Sequence, residues 1–81
     1  MTLDSLKESD HVIGMKQVQK AVKRGSAAQV FLAEDADAWI TSPIQKLCEE
    51  HEIPVMMAGT MKDLGKACGI EVGAATAAVL A

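Results

Sequence analysis

Short apolar runs alternate along this chain with segments of helical periodicity, and a glycine or a capping hydroxyl stands at most of the junctions. This alternation constrains the fold more than any other feature, because strands separated by helices settle into a sheet covered by helices. Thr2 can cap a first helix with Leu3 and Leu6 on its inner side. His11-Val12-Ile13 reads as a short strand closed by Gly14. A second helix is predicted from about Met15 to Arg24, with Val18, Ala21 and Val22 on its buried face and Gly25 as its stop. Gln29 to Ala33 is a buried strand, and Glu34 to Trp39 an acidic loop or a short irregular turn. Ser42 is expected to cap a third helix, with Pro43 in its first position and Gln45 completing a capping box. That helix buries Ile44, Leu47 and Cys48 and ends near His51. Ile53 to Met57 makes a third strand and Ala58-Gly59 a turn. Thr60 and Asp63 then cap a fourth helix, Met61 to Cys68, which Gly69 ends. Gly65 is expected to let this helix pack closely on the sheet. A last strand lies within Gly73 to Leu80, at the centre of the sheet because nothing polar alternates along it.

The predicted fold class is therefore α/β, with helices on both faces of a sheet of about four strands. The helix before the first strand, and the shortness of that strand, point to a mixed rather than a purely parallel sheet. With 81 residues, the chain makes one domain, 1–81, and carries no repeat, linker or low-complexity segment. No stretch approaches the roughly 20 apolar residues of a membrane helix. Asp4, Glu8 and Asp10 stand where a signal peptide would be basic and then apolar. A cytoplasmic protein with no membrane attachment is the expectation. Cys48 and Cys68, without C-x-x-C pairing, read as small reduced core residues.

A formal net charge of −3 argues on its face against nucleic acid. The distribution of that charge removes part of the objection. Residues 11–33 hold Lys16, Lys20, Lys23 and Arg24 and no acid, for +4; residues 34–52 hold six acids against Lys46, for −5. A chain so polarised can present one basic patch while repelling nucleic acid elsewhere, and should favour a specific site over nonspecific coating. The four cations share one helical face, distinct from the buried one. Lys16 opposes the macrodipole at the helix start, where an acid would be favourable, which suggests an anionic partner. A solvated lysine face is the plain alternative, and the charge pattern alone leaves both open. Gly14 would let a partner approach the free N–H groups of the helix start, although a simple strand-to-helix turn explains it equally. Gln17 offers both a donor and an acceptor, as reading a base edge requires.

Other chemistries find less support. Gly65, Gly69 and Gly73 match neither the dinucleotide fingerprint nor the phosphate-binding loop. Cys48 and His51 are three apart on the third predicted helix, but the cysteine falls on its buried face. Two histidines and two cysteines at these spacings match no common zinc pattern, and Glu34, Asp35 and Asp37 lack the glycine and glutamate of a calcium loop. No cofactor, metal or catalytic residue is expected. Phe31 and Trp39 are the only aromatic residues, too few for a single-strand binder that stacks successive bases. RNA, if bound, would be held by shape, helix-start contacts and an apolar loop.

Three stretches together carry a family resemblance. They are Ile13-Gly14-Met15-Lys16-Gln17-Val18-Gln19-Lys20-Ala21-Val22-Lys23-Arg24-Gly25, then Leu32-Ala33-Glu34-Asp35-Ala36-Asp37, then Leu64-Gly65-Lys66-Ala67-Cys68-Gly69-Ile70-Glu71-Val72-Gly73-Ala74-Ala75. Their order and spacing resemble the ribosomal protein family that includes the archaeal large-subunit protein L-seven-Ae, and within it the small bacterial branch of YbxF-like proteins. The resemblance covers about residues 9 to 81. It implies a three-layer α/β/α sandwich and binding to kink-turns, RNA helices sharply bent at an internal loop with tandem sheared G·A pairs.

By that resemblance Gly14, Lys16 and Gln17 lie at the G·A pairs, Lys20 at a guanine or nearby phosphates, and Arg24 at the backbone. Met57, Ala58, Gly59 and Thr60 form the loop over an extruded nucleotide, and Asp37 lies near that pocket. The implied partner is a kink-turn in ribosomal RNA or a riboswitch, not DNA, bound by a monomer. The helix begins with Lys16-Gln17 where the archaeal pattern has Asn-Glu, the loop lacks bulkier branched residues, and Trp39 stands near a position often held by proline. The rival reading is a protein-interaction module of the same fold, docking through the acidic segment 34–52.

Overall fold

Ala27–Leu32, the longest strand, lies inside the sheet and takes neighbours on both sides. In the computed structural model of the chain, which describes Leu6 and residues 9–81, seven elements follow one another. They are β1 (His11–Ile13), α1 (Met15–Lys23), β2 (Ala27–Leu32), α2 (Ala38–Glu50), β3 (Val55–Met57), α3 (Met61–Cys68) and β4 (Thr76–Leu80). The sheet order is β1-β4-β2-β3. β2 and β3 are parallel, joined through α2, whereas β4 runs antiparallel to both β1 and β2. The sheet is mixed and four-stranded, as expected. β4 is internal, as its unbroken apolar run predicts. Its one polar residue, Thr76, is fully buried and its Oγ1 donates to the Phe31 carbonyl at 2.9 Å, which removes the cost of an unpaired hydroxyl.

Side chains alternate across the pleat. Val30, Leu32 and Ala78 face a cluster with Val18, Ala21 and Val22 of α1 and Ile44 and Cys48 of α2. Phe31, Ala77 and Val79 face the opposite cluster with Leu64 and Cys68 of α3 and with Leu6. The result is a three-layer α/β/α sandwich, with α1 and α2 on one face and α3 on the other. The helix predicted from Thr2 lies outside the described residues apart from Leu6, which is fully buried.

Apart from shifts of one or two residues at element ends, such as β2 beginning at Ala27 rather than Gln29, three details differ from the sequence expectations. α2 starts at Ala38 with Asp37 in the capping position, and Pro43 sits inside the helix rather than at its first position. The earlier start brings Ile40 onto the core. Proline's fixed φ suits a helix, and its missing N–H leaves only the carbonyl of exposed Trp39 to water. β3 is shorter than predicted because the Ile53 N–H is spent on the Cys48 carbonyl at the end of α2, 2.8 Å away. Gly65 packs not on the sheet but on the main chain of Val72, where a Cβ would collide with the carbonyl oxygen. The segment after Gly69 turns back along α3, and its Ala74 N–H reaches the Met61 carbonyl at 2.9 Å.

Candidate nucleic-acid interface

The register of the sheet decides where the candidate residues meet. Ile13 pairs with Ala77, Leu32 with Thr76, and Leu32 with Met57. β1, β2 and β3 therefore end at one edge of the sheet, and α1, α2 and α3 all start there. Main-chain hydrogen bonds tie that edge together. Gly14 N–H donates to Thr76 at 3.0 Å, Ala33 to Ala75 at 2.9 Å, Ala58 to Leu32 at 2.9 Å and Glu34 to Gly59 at 2.6 Å.

The three helix starts are finished differently. At α3, Thr60 Oγ1 accepts from the Asp63 N–H at 3.1 Å and Asp63 Oδ2 accepts from the Thr60 N–H at 3.3 Å, the reciprocal box expected from the sequence. Asp35 Oδ1 accepts from the Met61 N–H at 2.7 Å. At α2, Asp37 is exposed and its side chain makes no capping bond. At α1 the capping position is Gly14, which has no side chain to offer, and the first turn holds no acid. Gly14 adopts φ 95° and ψ 154°, a region essentially reserved for glycine. The N–H groups of Met15, Lys16 and Gln17 precede the first intrahelical bond, from Val18 to Gly14 at 3.0 Å. They point outward at the positive end of the helix.

Lys16, Gln17, Lys20, Lys23 and Arg24 are all exposed. Gln17, Lys20 and Arg24 share a shallow groove of about 90 Å³ with Val12, Ala21, Ser26 and Leu80. Gly14, Lys16 and Gln17 thus sit at the common edge with Lys20 one turn behind. Arg24, at the other end of α1, lies about 15 Å along the helix from Gly14. In the Met57–Thr60 loop the side chains divide. Met57 is 50% exposed, but Ala58 is turned into the core. Gly59 holds φ 78° and gives its carbonyl to Glu34, and the Thr60 hydroxyl is engaged at α3. Only Met57 presents an apolar side chain to solvent there.

The sequence reading gave Trp39 no contact in the interface. Its ring is 67% exposed in the first turn of α2, at the same edge. Its rarity in the chain was visible, but the helix expected to begin at Ser42 left it in an unplaced loop.

Burial pushes the Cys48 and Cys68 thiols above their ordinary value. The two thiols are free and lie on opposite faces of the sheet. His51, exposed at the end of α2, makes no hydrogen bond to Cys48. Among the described residues no group of three or more His, Cys, Asp or Glu could hold a metal ion, and no helix is long and apolar enough to cross a membrane.

This geometry matches a known family along nearly the whole chain: the sequence model of the ribosomal protein L7Ae/L30e/S12e/Gadd45 family covers residues 2–81. The chain belongs to this family. An RNA-binding protein of Bacillus pumilus is 42% identical over 81 residues, 99% of each chain. The RNA-binding protein YbxF of Geobacillus stearothermophilus is 48% identical over 69 residues, 85% of this chain and 84% of its own. Among solved structures, the Giardia lamblia 15.5kD RNA binding protein superposes with a TM-score of 0.89 at 28% identity, covering 98% of this chain and 70% of that one. In this L7Ae-family chain the three stretches that carry the resemblance become α1 with its start, the loop after β2, and α3 with its returning segment.

Proposed function

We propose that this chain is an RNA-binding protein that recognises kink-turn RNA and acts by binding alone. The observation that carries the reading is the unsealed start of α1. Its three free N–H groups, its lysines and its glycine share one edge with the half-exposed Met57, and among the described residues no acid closes it. An anion satisfies such a start, and phosphate is the anion an array of lysines best accompanies. The relatives named as RNA-binding proteins support the same class of ligand.

Phosphate contacts position the protein and base contacts specify the site. Lys16 and Gln17, on the first turn beside Gly14, take the sheared G·A pairs, with Gln17 reading a base edge through donor and acceptor together. Lys20 takes a guanine or the adjoining phosphates, and Arg24 the backbone farther along. Met57 and the main chain of Ala58, Gly59 and Thr60 shelter the extruded nucleotide beside Asp37. These contacts exist together only on the bent RNA, so binding shifts the RNA from an open to a kinked population. The RNA is a kink-turn of ribosomal RNA or of a riboswitch.

A calorimetric titration with a standard kink-turn, beside the same RNA with its sheared G·A pairs made Watson–Crick, tests the proposal. Strong preference for the intact kink-turn is the expected result. Equal or absent binding would remove it and leave a protein-docking role for the acidic segment 34–52.

A further inference from the structure

We infer that Trp39 is a stacking platform for an unpaired nucleobase of the bound RNA, a reading that rests on the proposed RNA binding and adds a residue to its surface. An indole two-thirds exposed leaves a large apolar ring in water, and such rings are common where a partner supplies the missing cover. Several observations point to a base as that cover. Trp39 rises from the first turn of α2, at the sheet edge where α1 opens. α1 and α2 pack against each other on one face of the sheet, and packed helices lie about 8–10 Å apart. A bent RNA strand can therefore lay a phosphate against the N–H groups and lysine of α1 while a neighbouring base turns onto the ring. The start of α2 also offers N–H groups, since Asp37 makes no side-chain cap. Every base has a π-face, so the platform accepts an unpaired nucleotide of any sequence.

The ring is also its own reporter, because Trp39 is the only tryptophan in the chain. Kink-turn RNA titrated into the full chain should quench its emission in step with binding followed by calorimetry. RNA made abasic at the unpaired position should bind with little quenching. Trp39→Ala should weaken binding about tenfold, with Trp39→Phe retaining most of the affinity, as stacking of one base predicts. An exposed side chain can be removed without unfolding, and unchanged melting of Trp39→Ala would confirm that the loss belongs to binding. Calorimetric binding with unquenched emission, or full affinity in Trp39→Ala, would overturn the inference and leave the kink-turn reading standing. Emission that shifts with protein concentration without RNA would assign the ring to a second copy of the chain and overturn it as well. Absence of calorimetric binding by the intact chain would overturn both.

Discussion

The starts of α1 and α3 lie at the same edge of one sheet, each follows a glycine turn, and they are built to opposite plans. α3 is closed from within by Thr60, Asp63 and Asp35. α1 has no side-chain cap, no acid in its first turn, and a lysine at its positive end. The contrast separates what the fold needs from what a partner needs. A capped start contributes about 1 kcal/mol to stability without help. An uncapped one forgoes that contribution, and Lys16 adds repulsion from the helix dipole. Under the proposed function, an uncapped helix start at the same edge as a capped one is where stability is exchanged for binding.

The strongest way to break this comparison is to give α1 the acid it lacks. Lys16→Glu should raise the stability of the protein by about 0.3–1 kcal/mol through the helix dipole, while lowering affinity for kink-turn RNA by about 100-fold or more. Opposite signs in urea unfolding and RNA titration are the signature. Loss of stability, or intact RNA affinity, would mean that the open start of α1 is not the binding element.

Gly14→Ala probes the same start through the backbone. An added Cβ would meet nothing within 4 Å, so crowding does not enter. The whole penalty comes from φ 95° with ψ 154°, about 1–3 kcal/mol. For a chain of this size each kcal/mol lowers the melting temperature by about 4–8 °C. Unchanged melting would show that the turn relaxes freely and that glycine is present only for close approach of a ligand.

Asp63→Ala sharpens the comparison from the other side. It removes one half of the capping box and the only acid in the first turn of α3, and should cost about 1 kcal/mol in denaturant unfolding. RNA affinity, measured well below the melting transition, should fall far less than for Lys16→Glu, because Asp63 holds only the Thr60 end of the proposed nucleotide loop and the open start of α1 is untouched. A loss as large as that of Lys16→Glu would move the main binding element from the open start of α1 to the capped start of α3.

What could be read from the sequence follows the range of each signal. The Thr60–Asp63 box and the Gly25 and Gly69 stops are local, and each appears where expected. The central position of β4 was legible because a strand with no polar alternation has no face to offer water. Ser42-Pro43-Gln45 is an equally good local signal and failed, because starting the helix at Ala38 packs half-buried Ile40 against the core. The proline inside the helix leaves unpaired only a carbonyl that water reaches, that of exposed Trp39. At the candidate site, Lys16, Lys20, Lys23 and Arg24 could be seen as one face, but not the sharing of an edge by Lys16 and Gln17 with Met57 and Trp39. That fact depends on the strand order β1-β4-β2-β3, which no local spacing encodes. For the same reason Ala58, read as part of an apolar loop, proved to be a core residue.

The smallest expected effect compares the two helical layers rather than the two helix starts. Cys48, on α2 in the layer it forms with α1, is fully buried; Cys68, the last residue of α3 on the other face, is 6% exposed. Burial raises both thiols, so at pH 7 each is protonated whether the chain is folded or not, and neither makes stability depend on pH there. Unfolding returns them to about 8.5. The stability tied to the neutral thiols is therefore present in full below that value and falls as pH rises from it toward the folded values. A disulfide reagent at pH 8 should react slowly with the native protein, with Cys68 ahead of Cys48, and quickly once denaturant is added. If Cys48 reacted first, the layer formed by α1 and α2 would be the one that opens more readily, and the unsealed start of α1 would then weaken the layer beneath it as well as the helix end.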